Sequence, residues 1–228
     1  MKTVVITGAN RGIGLGLTKA FLRQGWQTYA ACRNPDGARD LWELENDYRD
    51  QLTLIQMNVT DLEEIAAAAK SINQPVDLLI NNAGILPNGR HKFLDMDFSD
   101  MELAFRVNTL GPMQVTRALM PQLQRAVHPR VINVSSKVGS IDDNSGGGMY
   151  AYRTSKTALN MVNKCLSIEF PKITFAVVHP GWVQTDMGGS HAPTEIAESC
   201  EGLISVILGL KSENTGCFVD FRGQSIPW

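Results

Sequence analysis

Short apolar runs alternate with longer, helically spaced stretches along the whole chain. Seven runs stand out, at 3–7, 27–32, 52–57, 76–80, 130–134, 173–178 and 217–220. Nearly all lack the apolar–polar alternation of a half-exposed strand. That is the pattern of strands covered on both faces of a parallel sheet. Between them the spacing turns helical. After Gly12, the residues Ile13, Leu17, Ala20 and Phe21 fall on one helical face. Thr60-Asp61-Leu62-Glu63 predicts a capping box with Thr60 as the cap, ahead of Ile65 and an alanine run. The stretches 98–123 and 151–170 are each expected to form a helix of several turns.

Strand–helix alternation repeated this often predicts an α/β fold. We expect one Rossmann-type, doubly wound domain over residues 1–228, with a mostly parallel seven-stranded sheet and helices on both faces. No linker interrupts it. The Gly/Ser-rich patch at 142–148 is too short for an interdomain tether and reads as a mobile loop leading into the next helix.

Composition narrows the function classes. A chain that is 43% hydrophobic and 19% charged is ordinary for a globular protein. Lys and Arg number 21 against 23 Asp and Glu, a formal charge of −2, so no basic excess is available for a nucleic-acid backbone. No run approaches the roughly 20 apolar residues of a membrane span, and the one before Gly8 is too short for a secretion signal. Cys32, Cys165, Cys200 and Cys217 lie far apart with no C-x-x-C pair. No metal site is expected, and buried, reduced thiols of a cytoplasmic protein are.

The first strand leads directly into Thr7-Gly8-Ala9-Asn10-Arg11-Gly12-Ile13-Gly14 and then a helix. Glycines there let the chain turn sharply and let backbone N–H groups approach a pyrophosphate at the helix N-terminus. The spacing is G-x-x-x-G-x-G; a tight strand–helix turn has the same composition, and the position after the first strand favours the nucleotide. The second strand is followed by Arg33, where an acid would bind the ribose 2′-OH of NAD. An arginine offers its forked donors to the 2′-phosphate of NADP instead, and Arg11 is expected to face the same phosphate. At the third strand end, Asn58 is a candidate for an adenine edge and Val59 for its ring, although a strand-end turn reads equally well. Asn82, Ala83 and Gly84 end the fourth strand with small residues that a bound nucleotide can approach, as an Asn-Gly turn also would.

Tyr152 and Lys156 are four residues apart in an expected helix and so share a face. A neighbouring ammonium, helped by the positive nicotinamide ring of a bound cofactor, is expected to lower the tyrosine pKa from about 10 toward about 7, at a cost of about 4 kcal/mol. Such a tyrosine donates a proton to a ketone oxygen as hydride reaches the carbon. Ser136, at the end of the fifth strand, is placed to hold that oxygen. Asn108, a mediocre helix former inside 98–123, implies a polar network or a helix distortion.

Taken together, Thr7–Gly14, Asn81–Gly84, Asn108, Ser136, Tyr152-x-x-x-Lys156 and Pro180-Gly181 resemble the motif series of the short-chain dehydrogenases/reductases over the whole chain. The likeness is nearest to the carbonyl-reductase-like branch that includes the C-factor and sniffer proteins, through Cys32-Arg33-Asn34-Pro35, Tyr152–Lys156 and Ile226-Pro227-Trp228. The resemblance implies Tyr152 as acid/base and Lys156 as binder of the nicotinamide ribose. Ser136 would orient the substrate, and Asn108 would hold a water in a relay to Lys156. The backbone of Val183 would bind the carboxamide and Thr185 the nicotinamide end. His179 and Trp182 are left as packing residues, and read without the family Pro180-Gly181 is a turn after a strand. The segment from Gly188 to Thr194 is short where many relatives carry a long lid. The expected cofactor is NADP(H) and the expected partner a small carbonyl or alcohol, with a homodimer or homotetramer implied. An NADP-binding signalling protein is the alternative.

Overall fold

The computed structural model describes residues 1–87 and 93–228. Among them the seven strands are β1 (Thr3–Thr7), β2 (Gln27–Cys32), β3 (Leu52–Gln56), β4 (Leu78–Asn81), β5 (Arg130–Val134), β6 (Thr174–His179) and β7 (Cys217–Asp220). They form one sheet in the order β3-β2-β1-β4-β5-β6-β7, and every neighbouring pair is parallel. The expected seven-stranded doubly wound sheet is therefore present, and these pairings carry no antiparallel member.

The helices are α1 (Gly12–Arg23), α2 (Arg39–Asp47), α3 (Leu62–Ser71), α4 (Phe98–Phe105), α5 (Gly111–Leu123), α6 (Tyr150–Glu169) and α7 (Ile196–Gly209). Two apolar layers cover the sheet. Val4, Ile6, Ala30, Leu78 and Ile80 face Leu17 and Phe21 of α1, Leu41 of α2 and Leu203 and Ile207 of α7. On the other face, Val5, Leu79, Val131 and Phe175 meet Ile65 of α3 and Val115, Leu119 and Leu123 of α5. Residues of both parities along the inner strands β1, β4, β5 and β6 and along β2 are thus buried, which is why those runs read as continuous rather than alternating.

Two expectations are corrected locally. The stretch 98–123 is not one helix, because α4 passes into a π-helical turn at Arg106–Leu110 before α5 begins. Pro112 has no N–H to give an α-type bond to the Asn108 carbonyl, and the wider turn avoids that conflict. At the start of α3 the cap is Asp61, not Thr60. Its Oδ1 accepts from the N–H groups of Glu63 and Glu64, at 2.9 and 3.0 Å. Glu64, in the first turn, accepts from the Asn58 N–H. Asp61→Ala is expected to cost about 1 kcal/mol, the usual worth of such a cap. Thermal unfolding should then fall by about 2–4 °C for a chain of this size, and an unchanged midpoint would return the cap to Thr60.

All four cysteines are free. Cys32 and Cys200 are buried and Cys217 half-buried, but Cys165 is exposed on α6, against the expectation that all four would be covered. No helix among the described residues is long and apolar enough to cross a membrane.

Candidate active site

Strand order reverses between β3 and β4, which opens a crevice at the carboxyl ends of β1 and β4, where open α/β sheets bind ligands. The glycine loop lines one wall. Gly8 and Gly12 hold positive φ, at 64° and 54°, which few other residues tolerate. A methyl added at Gly14 would lie 2.2 Å from the Gly8 carbonyl oxygen and 2.6 Å from Asn82 Nδ2. Asn82 closes the loop from β4, donating to the carbonyls of Thr7 and Gly8 at 2.9 and 3.1 Å. The Thr7 hydroxyl in turn accepts from the backbone N–H groups of Asn82 and Ala83, at 3.0 Å each.

Helix α1 begins in this loop with no side-chain cap and no acid in its first turn. Its first N–H groups, at Gly12, Ile13 and Gly14, therefore have no acceptor within the helix and suit an anion. A Cβ on Gly12 would come within 3.3 Å of the Thr185 methyl, so Thr185 stands opposite the loop as the second wall. The Thr185 hydroxyl accepts from the Gly188 N–H, and Val183 beneath it is buried in a bridge with Thr194. Asn10 is half-buried in the loop and Arg33 is exposed just past β2. These features fit a dinucleotide: a backbone cradle for the pyrophosphate, a cation beyond β2, and small residues at Ala83 and Gly84.

Arg11 departs from expectation. Its guanidinium pairs with Asp186 at 2.7 Å, both side chains being exposed, rather than turning toward Arg33. The nearby carboxylate supplies the charge a phosphate would. Asn58 and Val59 are also engaged: the Asn58 Oδ1 accepts from the Thr60 N–H and hydroxyl, and Val59 is buried against Gly111. A strand-end turn, the other reading of these two residues, is therefore present.

The chemical groups gather at the far end of the crevice. Ser136 follows β5, its hydroxyl hydrogen-bonded to that of Tyr152 in the first turn of α6. Lys156, one turn on, is buried, and its Nζ donates to the Val134 carbonyl at 2.9 Å. That takes one of three ammonium protons. Nζ lies 5.8 Å from the centre of the Tyr152 ring and would be 3.4 Å from a Cβ on Gly84. Glycine at 84 thus leaves the space beside the ammonium open.

Asn108 sits behind this group in the π-helical turn and is fully buried. Its Oδ1 accepts from the Ile85 N–H, and its Nδ2 donates to the Ile85 carbonyl and the Ser155 hydroxyl, at 2.9–3.0 Å. Ser155 Oγ also donates to the Tyr152 carbonyl, and Thr109 binds the Ser155 carbonyl. The expected polar network and helix distortion both exist. Since both amide protons are used, the side chain pins the β4 loop to the first turn of α6.

The protonation states differ from expectation. Burial pushes Tyr152 up to about 12, with the Ser136 hydrogen bond acting the other way. Lys156 does not bring it down toward 7, because burial lowers Lys156 itself to about 8 and its ammonium is turned to Val134. His179, at the end of β6, is held near 4 by burial, against the opposing pull of Asp220. Trp182 is not a packing residue: it is exposed, donating its indole N–H to the Gly188 carbonyl.

Several residues of the site were missed in the sequence. Ser155 and Asp186 are among them, as are Asn133 and Asn163 of a buried amide chain in which Asn81 donates to Asn133 and Asn133 to Asn163. An amide inside an otherwise apolar strand was the available signal for Asn133.

Comparison with known proteins agrees with this geometry. A family model described as short chain dehydrogenase matches residues 2–196. C-signal of Myxococcus xanthus is 45% identical over 166 residues, covering 72% of this chain and 99% of that protein. The NADPH-bound carbonyl reductase from chicken fatty liver superposes with a TM-score of 0.94 at 34% identity, covering 100% and 99% of the two chains. The carbonyl reductase Sniffer of D. melanogaster gives 0.95 at 33% identity, with both chains fully covered.

Proposed function

The chain belongs to the short chain dehydrogenase family and is an oxidoreductase; from that premise we propose that it is an NADPH-dependent carbonyl reductase with Tyr152 as proton donor. The observation that carries the proposal is the convergence of Ser136, Tyr152 and Lys156 beside Gly84, at the end of a crevice whose other end is the glycine cradle. The carbonyl reductases of chicken and Drosophila support it.

Gly8, Asn10, Gly12, Ile13 and Gly14 would hold the pyrophosphate, and Arg33 with Arg11 the 2′-phosphate. Asn82, Ala83 and Gly84, with Val183 and Thr185, would line the path to the nicotinamide end, while Asn58 and Val59 would meet the adenine. The Arg11–Asp186 pair, being exposed, is worth at most about 1 kcal/mol, so a doubly charged phosphate can displace the carboxylate. Bound NADPH supplies the hydride that reduces the carbonyl carbon.

The rest is the work of side chains. Ser136 and Tyr152 together grip the carbonyl oxygen. Because burial holds Tyr152 near 12, its phenol keeps its proton at neutral pH, as a donor in the reductive direction must. Lys156, near 8, is still charged at pH 7, and the two ammonium protons not given to Val134 would bind the nicotinamide ribose. Asn108 holds the turn that carries both.

The test is NADPH oxidation across quinones, aldehydes, dicarbonyls and keto-esters, with NADH alongside. Turnover of at least one class with NADPH is expected. Arg33→Ala should raise the NADPH KM about tenfold, the worth of ~1.4 kcal/mol of lost phosphate contact, and leave that for NADH unchanged. A preference of the unaltered protein for NADH would overturn the phosphate assignment.

The 45% identity with C-signal favours a second reading, a signalling protein that holds the cofactor without needing turnover. Exposed Phe98, Leu103, Leu110 and Met113, with Met161 and Ile168 of α6, support self-association as a dimer or tetramer through these helices. The four free thiols are in keeping with a cytoplasmic protein.

A further inference from the structure

The segment from Ser135 to Met149 joins the two halves of the proposed reaction centre, since it starts beside Ser136 and delivers Tyr152. Its second half is loose. Cβ atoms at Gly146, Gly147 and Gly148 would meet nothing within 4 Å, and two of these glycines hold positive φ. Its first half is pinned from two sides. From α6, the Gly139 carbonyl accepts the Thr157 hydroxyl at 2.8 Å and the Asn160 amide at 3.2 Å.

The second pin comes from 86 residues farther along the chain than Asp142. The carbonyl oxygen of Trp228 accepts three hydrogen bonds from this loop, from the N–H groups of Ile141 and Asp142 at 3.1 and 3.0 Å and from the Ser140 hydroxyl at 3.3 Å. Ser140 is buried and its oxygen also accepts the Asp143 N–H, closing the turn. Trp228 is itself held to the sheet. Its ring lies 5.4 Å from that of Phe218 on β7, and the Ile226 N–H donates to the Phe218 carbonyl at 2.9 Å. Ile226 and Phe218 are buried with Val177 of β6.

We propose that Trp228 is a positioning residue for the carbonyl site: its backbone carbonyl, anchored through its ring on Phe218, fixes the Ser140–Asp142 turn and thereby the place of Ser136 against Tyr152. The physical basis is the tether on either side of the catalytic serine. β5 holds Ser136 from before, and the turn at Ser140 is the first fixed point after it that is tied to something other than α6. If Trp228 is released, the loop keeps its bonds to α6 at Ser135, Val138 and Gly139 but loses its tie to β7. The turn after Ser136 is then braced from one side, and the serine can shift by a fraction of its present distance from the Tyr152 hydroxyl. A displacement of an ångström at such a group is enough to lower a rate severalfold or more. The glycine cradle lies at the β1–β4 crevice, away from β7, and should not register the change.

This rests on the carbonyl-reductase reading, and the experiment separates the two. Trp228→Ala is compared with Trp228→Phe and the unaltered protein, on a carbonyl substrate that the latter reduces. For Trp228→Ala we expect kcat per folded molecule to fall about tenfold and the carbonyl KM to rise. The NADPH dissociation constant, from quenching of protein fluorescence or from calorimetry, should stay within about twofold. Trp228→Phe keeps a ring on Phe218 and should recover most of the rate. Should Trp228→Ala not fold, Ser140→Ala removes one donor to the Trp228 carbonyl and is expected to shift kcat and carbonyl KM the same way, about threefold. An unchanged kcat and KM in the folded variant, or a loss of NADPH affinity that matches the loss of rate, would overturn the inference. If the unaltered protein reduces no carbonyl compound, it is the proposed function that fails.

Discussion

Tyr152→Phe is expected to lower the rate of carbonyl reduction by about 10³-fold, within the range that positioned general acids supply, while NADPH binding is retained. The substitution removes one oxygen from a half-buried side chain. That oxygen is hydrogen-bonded to Ser136 and raised to about 12 by its surroundings, so the site holds the proton on the phenol until a substrate takes it. Phenylalanine fills the same space and should leave stability nearly unchanged, since a phenol that burial disfavours as phenolate contributes little besides its hydrogen bond. The measurement is kcat under saturating NADPH, with cofactor affinity and the unfolding midpoint as controls. A variant that keeps within tenfold of the parent rate would place the proton donor elsewhere. If the rate collapses but a cellular activity of the protein persists, the signalling reading gains.

Gly14→Ala should abolish cofactor binding more completely than any charge removal in the cradle. The added methyl would stand 2.2 Å from the Gly8 carbonyl oxygen and 2.6 Å from Asn82 Nδ2. Neither can yield easily, because the Gly8 carbonyl is backbone and the Asn82 amide is what ties the loop to β4. The loop must open and α1 must shift, with an overpacking cost of about 1–3 kcal/mol before any ligand is lost. NADPH affinity is expected to fall at least about 100-fold, corresponding to about 2.7 kcal/mol. Gly16→Ala, two residues later on the opposite side of α1, is the control. Its methyl meets the Cys200 thiol and an Ile196 methyl, side chains of α7 that can move, so its cost should appear in stability with much less change in affinity. Equal loss of affinity in both variants would show that helix displacement, not the shape of the cradle, governs binding.

The strands and the glycine loop were legible because their causes are local. Continuous apolar runs such as Val4–Ile6 and Leu78–Ile80 are what burial on both faces demands, and the layers covering the sheet confirm it. The spacing of Tyr152 and Lys156 likewise carried their shared face directly into α6. The long helix at 98–123 was read from periodicity alone. Periodicity is blind to the single extra residue of a π turn, although the pair Asn108 and Pro112 marked the place. The cap of α3 was misplaced by one residue because Thr60 and Asp61 are both good caps, and in the folded chain the Thr60 hydroxyl is given to Asn58 while Asp61 accepts from Glu63 and Glu64.

By itself, then, the chain order of residues determined the strands, the cradle and the candidates for the reacting side chains, since each depends on neighbours within a few positions. Tertiary structure alone decided how those side chains behave. The pKa of Tyr152 depends on how much of β4, β5 and α6 covers it, and Lys156 loses its expected influence because Val134 and burial reach it first. Arg11 turns to Asp186 across 175 positions, and the Ser136 loop is tied by Trp228 across 88 from Ser140. Such contacts arise from the packing of distant segments, and desolvation, which sets the proton's place, exists only once they have closed.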